Sequence, residues 1–93
     1  KFMVGLETGS LIGGEQRERL LYSLSHHPYR YGIPTGSQAR EVYDKVGFLW
    51  NYVHDTAIVR HPRGTYVMTI MTQGKSYAAI AAMTRDIERI MYP

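Results

Sequence analysis

Three apolar runs, Glu41 to Trp50, His54 to His61 and Thr65 to Gln73, dominate the middle of the chain. All are rich in aromatic and β-branched residues, the side chains that suit a pleated, half-buried surface. The link His61-Pro62-Arg63-Gly64 places Pro at the second turn position and Gly at the fourth, which suits a tight turn between antiparallel neighbours. A three-stranded antiparallel meander over 41–73 follows. The connection from Trp50 to Val53 fits either a tight hairpin or a rim that shapes a pocket.

Helical patterns flank this centre. Gly74-Lys75-Ser76 breaks the third strand, and Ser76 is a credible N-cap for a helix over 76–91. Ile80, Met83, Ile87, Ile90 and Met91 are expected to form its buried stripe, with Arg85, Asp86, Glu88 and Arg89 on or near the wet side. Upstream, residues 1–9 read as the tail of a helix closed by Gly9, a residue that readily takes the left-handed conformation. Residues 14–25 read as an amphipathic helix with Leu20, Leu21 and Leu24 on one face and Glu15 paired to Arg19. Residues 26–40 hold two prolines, two glycines and no sustained period, the composition of an ordered loop. The fold class is therefore α/β in the mixed, α+β sense: a three-stranded meander, one C-terminal helix packed on it and one or two N-terminal helices. The first strand is expected to present an open edge, which something upstream would cover.

Length and charge narrow the function. A chain of 93 residues is one small domain, and domains of this size bury only about two-thirds of the surface of the unfolded chain. Cysteine is absent, which removes disulfides and thiolate metal sites. No apolar run approaches the roughly 20 residues of a membrane span, and no basic-then-apolar leader is visible. The eleven Lys and Arg are scattered among eight acids, so the net charge of +3 describes a solvated surface rather than a nucleic-acid site.

The segment Lys45-Val46-Gly47-Phe48 is the candidate for chemistry. Glycine weakens a strand, and the usual reason to keep it is a bulge or a ligand approaching the backbone. A Lys beside exposed backbone N–H groups would hold a carboxylate and stabilise an oxyanion. The structural alternative is an edge-strand Lys that blocks aggregation. Elsewhere, His26, His27, His54 and His61 lack metal-ligand spacing, and no metal or cofactor is implied. The eight tyrosines and Trp50 read as core or cross-strand pairs rather than base-stacking platforms. Met68 and Met71 fall on opposite faces of their strand, and Met71 is expected to be ordinary filling. Asp44 beside Lys45, and Asp55 beside His54, point to opposite faces, so neither pair is an acid–base dyad.

Order and spacing along essentially the whole chain add a further signal. Glu7-Thr8-Gly9-Ser10-Leu11-Ile12 precedes an amphipathic helix. Tyr29-Arg30-Tyr31-Gly32-Ile33-Pro34, Asp44-Lys45-Val46-Gly47 and His54-Asp55-Thr56-Ala57-Ile58-Val59 follow, then a hairpin into Tyr66-Val67-Met68-Thr69-Ile70-Met71-Thr72. This series resembles the C-terminal end of class A β-lactamases and related penicillin-recognising serine hydrolases. In that family a Lys-Thr-Gly or Lys-Ser-Gly triplet lines the active site and the residue after its Gly gives an oxyanion-hole N–H. The resemblance implies that Lys45 and Phe48 (through its main chain) are catalytic, and that Lys45, Val46, Gly47 and Phe48 bind a β-lactam or peptidoglycan-type peptide. Val46 departs from the pattern, because the family's hydroxyl there hydrogen-bonds the substrate carboxylate.

The family's Ser-x-x-Lys nucleophile motif is absent: none of Ser10, Ser23, Ser25, Ser37 and Ser76 has Lys three residues on, and Asn51 lacks the Ser of a Ser-x-Asn. The resemblance thus implies the C-terminal part of an acyl-serine enzyme of the bacterial cell envelope or a secreted one, whose nucleophile lies in a missing N-terminal part. Alternatives are a non-catalytic homologue, favoured by Val46, and a self-standing module that dimerises through its sheet edge.

Overall fold

The computed structural model describes residues 2–93. Four helices and three strands follow in the order α1 (Phe2–Thr8), α2 (Gly14–His26), α3 (Ile33–Gly36), β1 (Glu41–Leu49), β2 (Tyr52–His61), β3 (Gly64–Gln73) and α4 (Tyr77–Met91). The strands form an antiparallel sheet in the order β1-β2-β3, the expected meander. Both connections are two-residue turns, since Leu49 pairs with Tyr52 and His61 with Gly64. The open question at Trp50 is therefore resolved in favour of a tight hairpin, and Trp50 itself takes a φ of 54°, the left-handed region such turns require. Gly9 ends α1 at φ 81° as expected; Lys1, the first residue of the expected helix tail, lies outside the described residues. Ser76 caps α4 by accepting the Ala79 N–H, and Glu15 meets Arg19 at 2.6 Å.

Alternation along the strands gives the sheet two different faces. On one, Val42, Ala57, Val59, Met68 and Ile70 pack with Ile33 of α3 and Ile80 of α4. On the other, Ile58 packs with Met3 and Leu6 of α1 and Leu21 and Leu24 of α2, with Leu20 and Tyr43 at the margin. The central strand thus contributes to both cores.

Three expectations need correction. The 26–40 segment is not wholly loop, because Ile33–Gly36 closes a helical turn with Pro34 in its first positions. The buried stripe of α4 is Ile80, Ala81, Thr84 and Glu88, while Ile87, Ile90 and Met91 are exposed. The helix is rotated because Gly36 presses against it so closely that a Cβ on Gly36 would lie 2.0 Å from the Ala81 carbonyl oxygen, and only a small residue fits opposite. Glu88 can then turn inward because it accepts from Gln38 N–H at 2.8 Å, from the Ser37 hydroxyl and from the Tyr66 hydroxyl. Met71, expected as filling, is 72% exposed; Met68 is the core residue of the pair.

Candidate functional site

Strand β1 positions the four candidate residues. Its burial alternates, with Val42, Asp44 and Val46 buried on the α4 side and Lys45 exposed on the opposite face. Lys45 stands opposite Thr56, which stands opposite Thr69, and the two threonine hydroxyls hydrogen-bond at 2.7 Å. The next row outward is Gly47, His54 and Met71. Nothing lies within 4 Å of where a Gly47 Cβ would be, so glycine leaves free space beside the Lys45 row rather than relieving a clash.

The polar backbone of β1 follows the same two-residue period. The Val42 carbonyl accepts from Arg30 and the Val46 carbonyl from Lys45 Nζ at 3.3 Å, so the even-numbered residues direct their main-chain groups away from β2. Phe48 shares that parity, and its N–H is directed to the open edge of β1. Its ring is 60% exposed and tilts against Tyr29 at 5.8 Å between centroids. Lys45 and the Gly47 position therefore share the outer face of β1, and the Phe48 N–H lies at the free edge of the same strand, where Lys45 Nζ meets the Val46 carbonyl. The Val46 side chain does not join them; it is buried on the α4 side.

A shallow cleft of about 390 Å³ lined by Tyr52, His54, Met71, Thr72 and Gln73 opens beyond the Gly47 row. A larger cavity, about 550 Å³, lies elsewhere, among α2, Tyr43 and Arg60. Its charged groups are paired, Arg19 with Glu15 inside it and Arg60 and Glu18 with Glu7, Glu41 and Arg17 outside it, and it holds none of the candidate residues. At its margin Ser25 Oγ lies 2.8 Å from His26 Nδ1, but that nitrogen is also 2.8 Å from the Tyr22 carbonyl. Nδ1 must therefore donate, and Ser25 has no base to activate it. Among the described residues no group of three His, Asp or Glu could hold a metal ion, and no helix is long and apolar enough to cross a membrane.

Sequence reasoning missed the polar centre beneath this strand. Asp44 and Asp55 are fully buried, and each carboxyl has one oxygen bonded: Asp44 to His27 Nε2 at 2.8 Å and Asp55 to the Ile33 N–H at 2.9 Å. The signal was present in the alternation, since Asp44 shares its face with Val42 and Val46, two apolar residues that declare that face buried. Judging Asp44 only against its neighbour Lys45 hid its partner on the next strand.

A model of the β-lactamase enzyme family matches residues 1–92. The chain belongs to that family. Among solved structures, PBP-A superposes with a TM-score of 0.80 at 18% identity, covering 97% of this chain and 37% of that one. A β-lactamase from Sphaerobacter thermophilus superposes with a TM-score of 0.80 at 21% identity, covering 98% of this chain and 38% of its own. A variant of PBP-A captured as an acyl-enzyme complex with penicillin G gives 0.79 at 18% identity, again over 97% and 37%. These likenesses establish the fold, and the chain spans little more than a third of the length of those structures. A search of curated proteins finds no match. The family's serine hydrolase-like architecture thus agrees with the meander, its C-terminal helix and the helices before it.

Proposed function

We propose that this chain is the C-terminal portion of an acyl-serine hydrolase acting on β-lactams or cell-wall peptides, to which it contributes the Lys-x-Gly strand. The observation that carries the reading is the placement of Lys45 and Gly47 on the open face of β1, beside the free edge to which the Phe48 N–H is directed. Lys45 would hold the substrate carboxylate as a charge-assisted partner, Gly47 leaves room for the substrate to approach the strand, and Phe48 would donate its main-chain N–H to the developing oxyanion. Val46 offers no hydroxyl, and its buried side chain leaves only main-chain contact at that position. The serine nucleophile and its lysine would come from the remainder of the domain. In keeping with that, Leu49, Met71 and Ile90 expose 65%, 72% and 80% of their surface, apolar area that a missing part of the same domain would cover. The bacterial cell envelope or the exterior would be the place of action.

The test is covalent labelling by a fluorescent penicillin. The 93-residue chain alone should not be labelled, whereas the chain joined to a part carrying Ser-x-x-Lys should be, and Lys45→Ala should slow that labelling by about 10²-fold, the scale of losing one charge-assisted hydrogen bond to the substrate carboxylate. Labelling of the chain alone, or labelling indifferent to Lys45→Ala, would sink the reading. Val46 favours one alternative, a family member that keeps the fold without turnover. It predicts reversible penicillin binding and no acylation of the joined protein. A self-dimerising module would instead show a melting temperature that rises with protein concentration.

A further inference from the structure

The buried pair on the α4 side of the sheet has a hydrogen-bonding pattern that one added proton would complete. Asp44 pairs in register with Ala57, and Asp55 with Val46, which sets the two carboxyls on one face of adjacent strands, diagonally apart. Asp44 Oδ2 and Asp55 Oδ1 are both buried and have no partner, while the opposite oxygen of each is bonded. His27 supplies no extra proton. Its Nδ1 accepts the Tyr29 N–H at 3.2 Å, so its proton sits on Nε2 and is donated to Asp44 Oδ1 while the ring stays neutral. The remaining charges near the pair are Arg30, 4.0 Å from Asp44 Oδ1, and Lys45 on the outer face; the buried, unpartnered hydroxyl of Tyr77 on α4, raised by burial and by the two carboxyls, stays neutral. One close cation cannot balance two buried carboxylates.

We propose that Asp44 and Asp55 share a single proton, and that this proton closes a ring of hydrogen bonds that latches the 27–33 segment across β1 and β2. The ring runs from the Tyr29 N–H to His27, from His27 to Asp44, across the shared proton to Asp55, and from Asp55 back to the Ile33 N–H. Its ends lie just after α2 and at the first residue of α3, so the latch fastens the segment between them to two strands at once, directly behind Lys45. Gly32 is part of its construction, since a Cβ there would lie 2.7 Å from Asp55 Oδ2. Burial raises both carboxyls above their ordinary range, and Asp55, with the hydrogen bond and charge of Asp44 added, is pushed up to about 8. Burial also lowers His27, in keeping with its neutral form. The latch does not depend on the substrate reading.

The experiment is a carbon-13 titration of the aspartate side chains in the wild-type protein and in Asp44→Asn and Asp55→Asn, with melting temperatures across the same pH range. In the wild type one of the two carboxyl carbons should titrate near pH 8. In Asp55→Asn the amide replaces the shared proton as donor to Asp44, and the late titration should vanish with the fold retained. In Asp44→Asn the amide donates to Asp55, whose midpoint should fall by about one unit or more. Asp55 binds its proton more tightly folded than unfolded, so its contribution is complete below its ordinary value of 3.8 and is lost as pH rises through about 8. The melting temperature of the wild type relative to Asp55→Asn should therefore decline across that window. Two wild-type carboxyls titrating together below pH 5 would overturn the proposal without recourse to any variant. A late titration unchanged in Asp44→Asn would overturn the sharing and leave burial alone as its cause.

Discussion

The two faces of the sheet have been finished to different degrees. The α4 face is closed. Ile33, Val42, Ala57, Val59 and Ile80 are at most 2% exposed, and the carboxyls among them belong to the Glu88 clip and the Asp44–Asp55 pair. The opposite face is covered by α1 and α2 only over Tyr43 and Ile58; the rows of Lys45 and Gly47 stay open, with Met71 exposed at the margin. The difference teaches where stability and chemistry separate. Close packing on one side holds the strand rigid, which leaves the other side free to present Lys45 and the backbone edge without having to stabilise the fold.

The largest expected effect comes from breaking the closed face at its tightest point. Gly36→Ala drives a methyl into the Ala81 backbone, where no flexible side chain can yield, and should destabilise by about 3 kcal/mol in denaturant unfolding. A loss below about 1 kcal/mol would mean that α3 and α4 do not meet as closely as described.

Next comes the Glu88 clip. Glu88→Gln puts an amide donor among three donors and should cost about 2 kcal/mol. Burial alone would raise the Glu88 carboxyl, but the Gln38 N–H, the hydroxyls of Ser37 and Tyr66 and the nearby His61 together hold it below its ordinary value. A lowered acid contributes stability above its unfolded value of 4.5 and loses it as pH falls through the folded one. Melting temperatures should accordingly drop less steeply on acidification in Glu88→Gln than in the wild type, and equal slopes would remove the clip from the account.

The smallest effect sharpens the contrast from the other side. Met71→Thr on the open face should change stability by no more than about 0.5 kcal/mol, as an exposed residue far from any tight contact does. A loss approaching that of Gly36→Ala would show that the open face is covered in the protein and not open at all.

Local chemistry marked most of the fold in the sequence. The aromatic and β-branched runs yield three strands, the His61-Pro62-Arg63-Gly64 turn and the Ser76 cap fall where turn and helix stereochemistry require them, and Lys45 and Gly47 come to one face of one strand by parity alone. Their identity as candidates, with the Phe48 main chain, came from the family resemblance alone. Hidden from the sequence were the features that depend on what lies across the sheet. Hydrophobicity favoured Ile87, Ile90 and Met91 as the buried face of α4, yet the approach of Gly36 and the donors waiting for Glu88 turned a smaller, more polar stripe inward.

What the sequence by itself determined is the order of elements, the meander and the face on which Lys45 stands, because period-two alternation, turn stereochemistry and helix capping act between residues close in the chain. Tertiary structure alone decided the rotation of α4, the burial of Glu88 and the pairing of Asp44 with Asp55. Each of these depends on groups from distant segments arriving to satisfy a buried polar atom, and a polar side chain enters a core only when such partners are in place.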